Sequence, residues 1–332
     1  MACRGPACET ACHGSCIEWC IPMEPNAITD LLGSPGLVSR IGNTPLVPIR
    51  GLDGVRAGVE VRGKAEWLNP GGSVKDRAAW AMVEAGEASG ALAPGKTLID
   101  ATSGNTGIAY AWIGAARGFA VELCVPANAG LARKRLLAAL GARIFLTDPM
   151  SGTEGAMLEA RRRVAADTRR YFYPDQYSNP ANWKAHYRGT AEEIWAQTEG
   201  RVTHIVAGIG TSGTLVGTAR RLKELNPALV AIAVQPDSPL HVLEGLKHLA
   251  SAGAPAIYDP AAHQRTIEVS SEEAVAMAKR QARQGLAIGW SAGAAVVAAE
   301  RIARELARGV VVCILPDGAE RYLGDPLWEE GA

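Results

Sequence analysis

Short apolar runs alternate with amphipathic helical stretches from about residue 59 to the end of the chain, and this alternation constrains the fold more than any other feature. The runs Thr97–Asp100, Ala120–Val125, Arg143–Leu146, His204–Ala207, Val230–Val234 and Val310–Leu315 read as buried parallel strands. Between them, 129–140, 152–166, 181–198 and 272–284 repeat apolar residues at helical spacing. Alternation of this kind predicts an α/β fold with mostly parallel, twisted sheets and helices on both faces. At 332 residues the chain exceeds what one compact core usually holds, so two subdomains or one large α/β unit are expected.

The charge balance narrows the function. Thirty-four basic and 34 acidic residues cancel, without a long block of either sign, which argues against nucleic acid or an anionic membrane as partner. No apolar run approaches the roughly 18 residues of a membrane span, and the first residues lack the apolar segment of a signal peptide, so a cytoplasmic protein acting on small molecules is expected.

In open α/β sheets, ligands bind where strands end and loops enter helices. Four loops have the chemistry for this. In Asn69-Pro70-Gly71-Gly72-Ser73-Val74-Lys75-Asp76-Arg77, a glycine turn delivers Lys75 to a helix start, whose positive field favours a neutral, nucleophilic amine. Thr102-Ser103-Gly104-Asn105-Thr106-Gly107 offers hydroxyls, an amide and backbone N–H groups suited to a carboxylate or a phenolic oxygen. Gly208-Ile209-Gly210-Thr211-Ser212-Gly213-Thr214 lets the backbone close on a phosphate. It is also a literal GxGxxG with Asp237 at the end of the next strand, the pattern of a dinucleotide site, which keeps an NAD-dependent oxidoreductase in view. Three hydroxyls suit a terminal phosphate better, however. A phosphate loop, a lysine nucleophile and a site for a phenolic oxygen together describe pyridoxal phosphate. Gly289-Trp290-Ser291-Ala292-Gly293 places a serine hydroxyl at a helix head, where it can meet that cofactor's ring nitrogen.

From Ile41 to Leu323 the sequence resembles the cysteine synthase (O-acetylserine sulfhydrylase and cystathionine β-synthase) family of fold-type II pyridoxal phosphate enzymes. Ile41-Gly42-Asn43-Thr44-Pro45-Leu46, NPGGSVKDR, TSGNTG, GIGTSGT and GWSAGAA stand in that family's order. The resemblance implies two subdomains, each a mostly parallel sheet flanked by helices, as in the tryptophan synthase β-like fold, with the smaller at roughly 73–180. It implies that Lys75 holds the internal aldimine and that Asn105 contacts the phenolic oxygen. It also implies that Gly210, Thr211, Ser212, Gly213 and Thr214 bind the phosphate, and that Ser291 meets the ring nitrogen. Thr102, Ser103 and Thr106, with Gln176 in Asp175-Gln176-Tyr177-Ser178-Asn179-Pro180, become the substrate carboxylate site. The implied reaction is β-replacement of the leaving group of O-acetylserine or O-phosphoserine by a sulfur nucleophile, in a homodimer. A cystathionine β-synthase or a cysteine desulfhydrase would use the same scaffold.

The segment from Asp237 to His248 is more similar to the B-type branch and to phosphoserine-using relatives, which makes Lys247 a candidate for reading a phosphate leaving group. Trp290 stands where a small aliphatic residue is expected.

Five of seven cysteines crowd into the first 20 residues, with Cys8, Cys12, Cys16 and Cys20 four apart. The spacing permits zinc, an iron–sulfur site, a redox sensor, a sulfur-carrying thiol arm or, with His13, haem, without specifying any of them. The alternative is a disordered or untranslated extension, since Met23 precedes a normal family start. Residues 1–22 are therefore read as a separate head and 23–332 as the catalytic domain.

Overall fold

The computed structural model describes residues 36–102 and 104–329, and everything below concerns these. Ten strands build two sheets. In chain order the elements that place the site are β1 (Leu46–Pro48), β2 (Val59–Ala65), α1 (Lys75–Ala88), β3 (Thr97–Ala101), α2 (Asn105–Arg117), β4 (Val121–Pro126), α3 (Leu131–Ala139), β5 (Arg143–Thr147), α4 (Gly152–Ala166) and β6 (Tyr171–Phe172). There follow α5 (Pro180–Ala185), α6 (Ala191–Gln197), β7 (His204–Gly208), α7 (Gly213–Leu225), β8 (Val230–Pro236), α8 (Leu249–Ala252), β9 (Arg265–Val269), α9 (Ser271–Ala282), α10 (Trp290–Glu305) and β10 (Gly309–Leu315).

One sheet runs β1-β2-β10-β7-β8-β9, with only the β1–β2 pair antiparallel; the other runs β5-β4-β3-β6, all parallel. The expected mostly parallel α/β architecture is what forms. Strand periodicity explains why helices cover both faces of the large sheet: Val311, Cys313 and Leu315 of β10 pack with α9 and α10, while Val310, Val312 and Ile314 pack on the opposite side with α6 and α7.

One expectation needs correction. The run at 143–146 is not a buried strand: β5 is an edge, and Leu146 is 59% exposed. An edge strand packs on one side only, so its apolar residues are not proof of burial. The stretch 181–198 is helical as expected, with α5 and α6 joined through a π-helical turn at His186–Thr190. Four strands, β1, β2, β6 and β9, were not singled out by periodicity. In β2 the signal is masked by Lys64, a fully buried lysine whose Nζ donates to the Thr44 carbonyl and to Glu193 Oε2 at 2.6 Å. A buried charge this well partnered is tolerated in a core strand.

Candidate active site

The loop before α1 is held from three sides. Asn69 Oδ1 accepts from Gly42 N at 2.8 Å, Val74 N donates to Pro316 O at 2.8 Å, and Arg321 donates to Gly71 O. Gly72 has φ of +81°, a left-handed conformation that a side chain would strain. The turn delivers Lys75 as the first residue of α1, half-buried at the floor of a cleft of about 730 Å³. Burial pulls the Lys75 ammonium below the ordinary lysine value, against the opposing pull of the Asp317 carboxylate.

Two residues on, Arg77 braces the helix from below. Its guanidinium donates to Glu66 Oε2 and to both oxygens of Glu193, each at 2.7 Å, and it is 5% exposed. Burial works to raise the Glu66 carboxyl, but Arg77 beside it holds it below its ordinary value. Two cations, Lys64 and Arg77, meet two anions, Glu66 and Glu193, so the cluster is balanced; removing one partner would strand a buried charge.

The second loop leaves β3 and enters α2 at Asn105. Thr102 Oγ1 accepts from the backbone N–H groups of Gly104 and Gly107, at 3.1 and 3.3 Å. Thr106 Oγ1 donates to Gln176 Oε1 at 2.8 Å, and Gln176 Nε2 donates to Ala101 O at 3.1 Å. Thr102, Thr106 and Gln176 thus meet at one wall of the cleft. Ser103 lies outside the described residues.

The third loop joins β7 to α7. Its glycines are required by close approach of the protein itself: a Cβ on Gly210 would stand 2.0 Å from the Gly245 carbonyl oxygen, and one on Gly213 would stand 2.0 Å from Asn182 Oδ1. Ser212 takes φ of +69° ahead of the helix. Thr211 Oγ1 accepts from Asn182 Nδ2 at 3.2 Å, and Thr214 Oγ1 lies 3.2 Å from His186 Nε2. Burial pushes the His186 imidazole down to about 3, so it is neutral at physiological pH. His186 comes from the π-helical turn, and its Nδ1 is tied to Thr190 Oγ1 at 3.0 Å. Such turns commonly mark functional positions.

Ser291, 4% exposed in the first turn of α10, lines a smaller cavity together with Lys75, Asn105, Ser212 and Thr214. Lys75 and Asn105 stand where this cavity meets the cleft. Two buried atoms in the cavity's lining residues lack partners, Asn105 Oδ1 and Ser212 Oγ. Native interiors rarely leave such atoms unpaired: the Ser212 hydroxyl can donate to an oxygen of a bound anion, while Asn105 Oδ1 can only accept and calls for a donor.

A family model of pyridoxal-phosphate dependent enzymes matches residues 37–317. This chain belongs to that family. It is 48% identical to the cysteine synthase of Aquifex aeolicus over 301 residues, covering 89% of this chain and 92% of that protein. It is 38% identical to cysteine synthase B of Pseudomonas aeruginosa, covering 89% and 98%. The crystal structure of the cysteine synthase of Entamoeba histolytica superimposes with a TM-score of 0.86 at 33% identity, over 90% of this chain and 92% of that one.

As a pyridoxal-phosphate dependent enzyme the chain needs no dinucleotide site, and Asp237 is exposed and lines neither cavity. Lys247 does line the cleft, with Nζ 5.0 Å from the centre of the Tyr177 ring; burial lowers its ammonium, opposed by Glu154. Among the described residues no group of three or more histidines, cysteines or carboxylates is placed to hold a metal, and no helix is long and apolar enough to cross a membrane. Cys8, Cys12, Cys16 and Cys20 lie outside the described residues.

Asp317, Tyr322 and His186 were missed from sequence. Asp317 is 1% exposed, and its Oδ2 accepts from Asn105 Nδ2 at 2.7 Å and from the Tyr322 hydroxyl at 2.8 Å. Burial raises its carboxyl, against these two donors and Lys75. One signal pointed to it: it stands two residues after the apolar run of β10, beyond the carboxyl end of a parallel strand.

Proposed function

We propose that this enzyme makes L-cysteine by β-replacement, exchanging the leaving group of O-acetylserine or O-phosphoserine for a sulfur nucleophile. The observation that carries the reading is the meeting of Lys75 with Thr102, Thr106 and Gln176 in one cleft: an amine beside a carboxylate-binding wall is what removal of an amino acid's α proton requires. When bound, pyridoxal phosphate supplies the electron sink that makes that proton acidic.

Each residue then has a task. Lys75 Nζ anchors the cofactor aldehyde, takes the α proton and returns it to the same carbon. Its lowered pKa raises the fraction present as free amine at neutral pH. Thr102, Ser103, Thr106 and Gln176 hold the substrate carboxylate and fix the β carbon's position. Gly210 to Thr214 hold the phosphate, Asn105 faces the phenolic oxygen and the Ser291 hydroxyl partners the ring nitrogen. A hydroxyl there, unlike a carboxylate, does not enforce a protonated ring. Lys247 reads a phosphate leaving group.

We further place the enzyme in the cytoplasm as a homodimer, with residues 23–332 as the catalytic domain and its smaller subdomain at roughly 73–180. Size-exclusion chromatography with light scattering tests the dimer; truncation of residues 1–22 tests the domain boundary.

The deciding assay gives the purified enzyme O-acetylserine and O-phosphoserine, each against sulfide, thiosulfate and homocysteine. Cysteine formation from one of the two serine esters supports the reading. Cystathionine from homocysteine as the faster product, or hydrogen sulfide released from cysteine, would replace it with the synthase or desulfhydrase reading. Protein that takes up no pyridoxal phosphate would overturn it altogether.

A further inference from the structure

Trp290 departs from the small residue expected beside Ser291, and its surroundings explain what it does. The indole is fully buried, and its Nε1 donates to Asp325 Oδ2 at 2.9 Å. Its ring packs on Trp328, with centroids 4.4 Å apart and planes at 32°, and on Tyr322 at 5.8 Å and 46°. Offset pairs of this kind contribute beyond simple burial. Asp325 is doubly engaged, because its other oxygen accepts from Leu327 N at 3.0 Å and so caps the short turn Pro326–Trp328. The segment after β10 is thereby folded back onto the head of α10, the helix that carries Ser291.

Backbone pairing reinforces this. Gly289 N donates to Asp317 O at 3.2 Å, and Ile288 forms an antiparallel bridge with Gly318. A Cβ on Gly289 would lie 2.2 Å from Asp317 Oδ1 and 2.6 Å from the Tyr322 ring, so the approach of these two residues to the helix head depends on glycine there. Tyr322 in turn donates to Asp317 Oδ2, the atom that receives the Asn105 amide.

We propose that Trp290 and Asp325 form a clasp that positions Tyr322 and Asp317, and through Asp317 the Asn105 amide at the cofactor cavity. Trp290 and Asp325 are positioning residues: they act on the cofactor through the Tyr322–Asp317–Asn105 chain. The inference rests on the cofactor assignment given above.

The test begins with the full-length parent, reduced with borohydride in the presence of pyridoxal phosphate and mapped by mass spectrometry. Label on Lys75 is expected; no uptake of cofactor would overturn both readings. Apoenzymes of Trp290→Phe, Asp325→Ala, the double variant and Tyr322→Phe are then titrated with pyridoxal phosphate, with melting temperature followed in parallel. Trp290→Phe keeps an aromatic ring, smaller than the indole, and loses the donor; Asp325→Ala, at a half-buried site, keeps the assay usable should the indole variant fold poorly. Each single variant is expected to weaken cofactor binding roughly five- to twentyfold, as loss of a charge-assisted bond would. Each should also move the pH midpoint of the bound cofactor's absorbance in the same direction as Tyr322→Phe. The double variant should bind within about twofold of the weaker single, because both remove one interaction. Melting temperatures that fall while affinity and absorbance midpoint stay at parent values would overturn the clasp alone, as would losses that simply add.

Discussion

Asn105 Nδ2 donates to Asp317 Oδ2 at 2.7 Å although the two residues are 212 positions apart in the chain. The bond joins the head of α2, the helix that follows β3 of the small sheet, to the segment just after β10 of the large one. It fixes the amide's orientation and leaves Oδ1 as the unpaired atom. Asp317 also provides the negative charge that partly offsets the desolvation of Lys75. One carboxylate therefore orients the amide and opposes, without reversing, the burial that lowers the amine.

Lys75→Ala is expected to fold and to lose turnover by about a thousandfold or more, since it removes both the anchor and the proton carrier. The phosphate loop should still retain some cofactor. Circular dichroism, absorbance of the purified protein and β-replacement rates check this; residual activity within tenfold of the parent would show the lysine is misassigned.

Gly210→Ala forces a Cβ against the Gly245 carbonyl oxygen, a backbone atom with little room to yield. A cost of about 1–3 kcal/mol is expected from such overpacking, together with cofactor binding at least about tenfold weaker. Titration of the apoenzyme with pyridoxal phosphate decides it. Parent-like affinity alongside lower stability would mean the loop is a packing element and does not hold the phosphate.

Asp100 makes stability depend on pH. Its carboxyl is 1% exposed, Oδ2 has no partner, and burial pushes it up to about 7 from 3.8, against a backbone donor, Ala101 N. The folded state binds this proton more tightly than the unfolded chain does. Asp100's contribution to stability is therefore fully present below about 4, is lost as pH rises towards about 7 and is absent beyond. Asp100→Asn should remove this share of the dependence and leave that of Asp76, likewise raised to about 7 by burial, so that it matches the parent near pH 4 and exceeds it at pH 8 by at most roughly 4 kcal/mol. Melting curves across this range that run parallel for the two proteins would show that the carboxyl is not so shifted.

Lys247→Ala should reduce kcat/KM for O-phosphoserine by about ten- to hundredfold and for O-acetylserine by less than about threefold, the difference being one charge-assisted contact to a dianion. Equal changes for both donors would leave Lys247 with no role beyond its cation–π contact with Tyr177.

The sequence by itself determined the parallel α/β architecture and the four loops that make the site. Each loop is written in fewer than ten consecutive residues, because a strand end, a turn and a helix start are local structures whose chemistry is fixed by neighbouring side chains. Periodicity misled at the exposed edge strand β5, because a strand's apolar pattern does not report its position in the sheet, and it gave no notice of the π-helical turn that carries His186. Only the tertiary structure decided which distant groups meet: Asp317 with Asn105, Thr214 with His186, Gly210 with Gly245, and Trp290 with Asp325. These pairings follow from the lateral order of strands and the folding back of the last segment. No repeat along the chain encodes that order, since it is set by how the sheets pack over their helices.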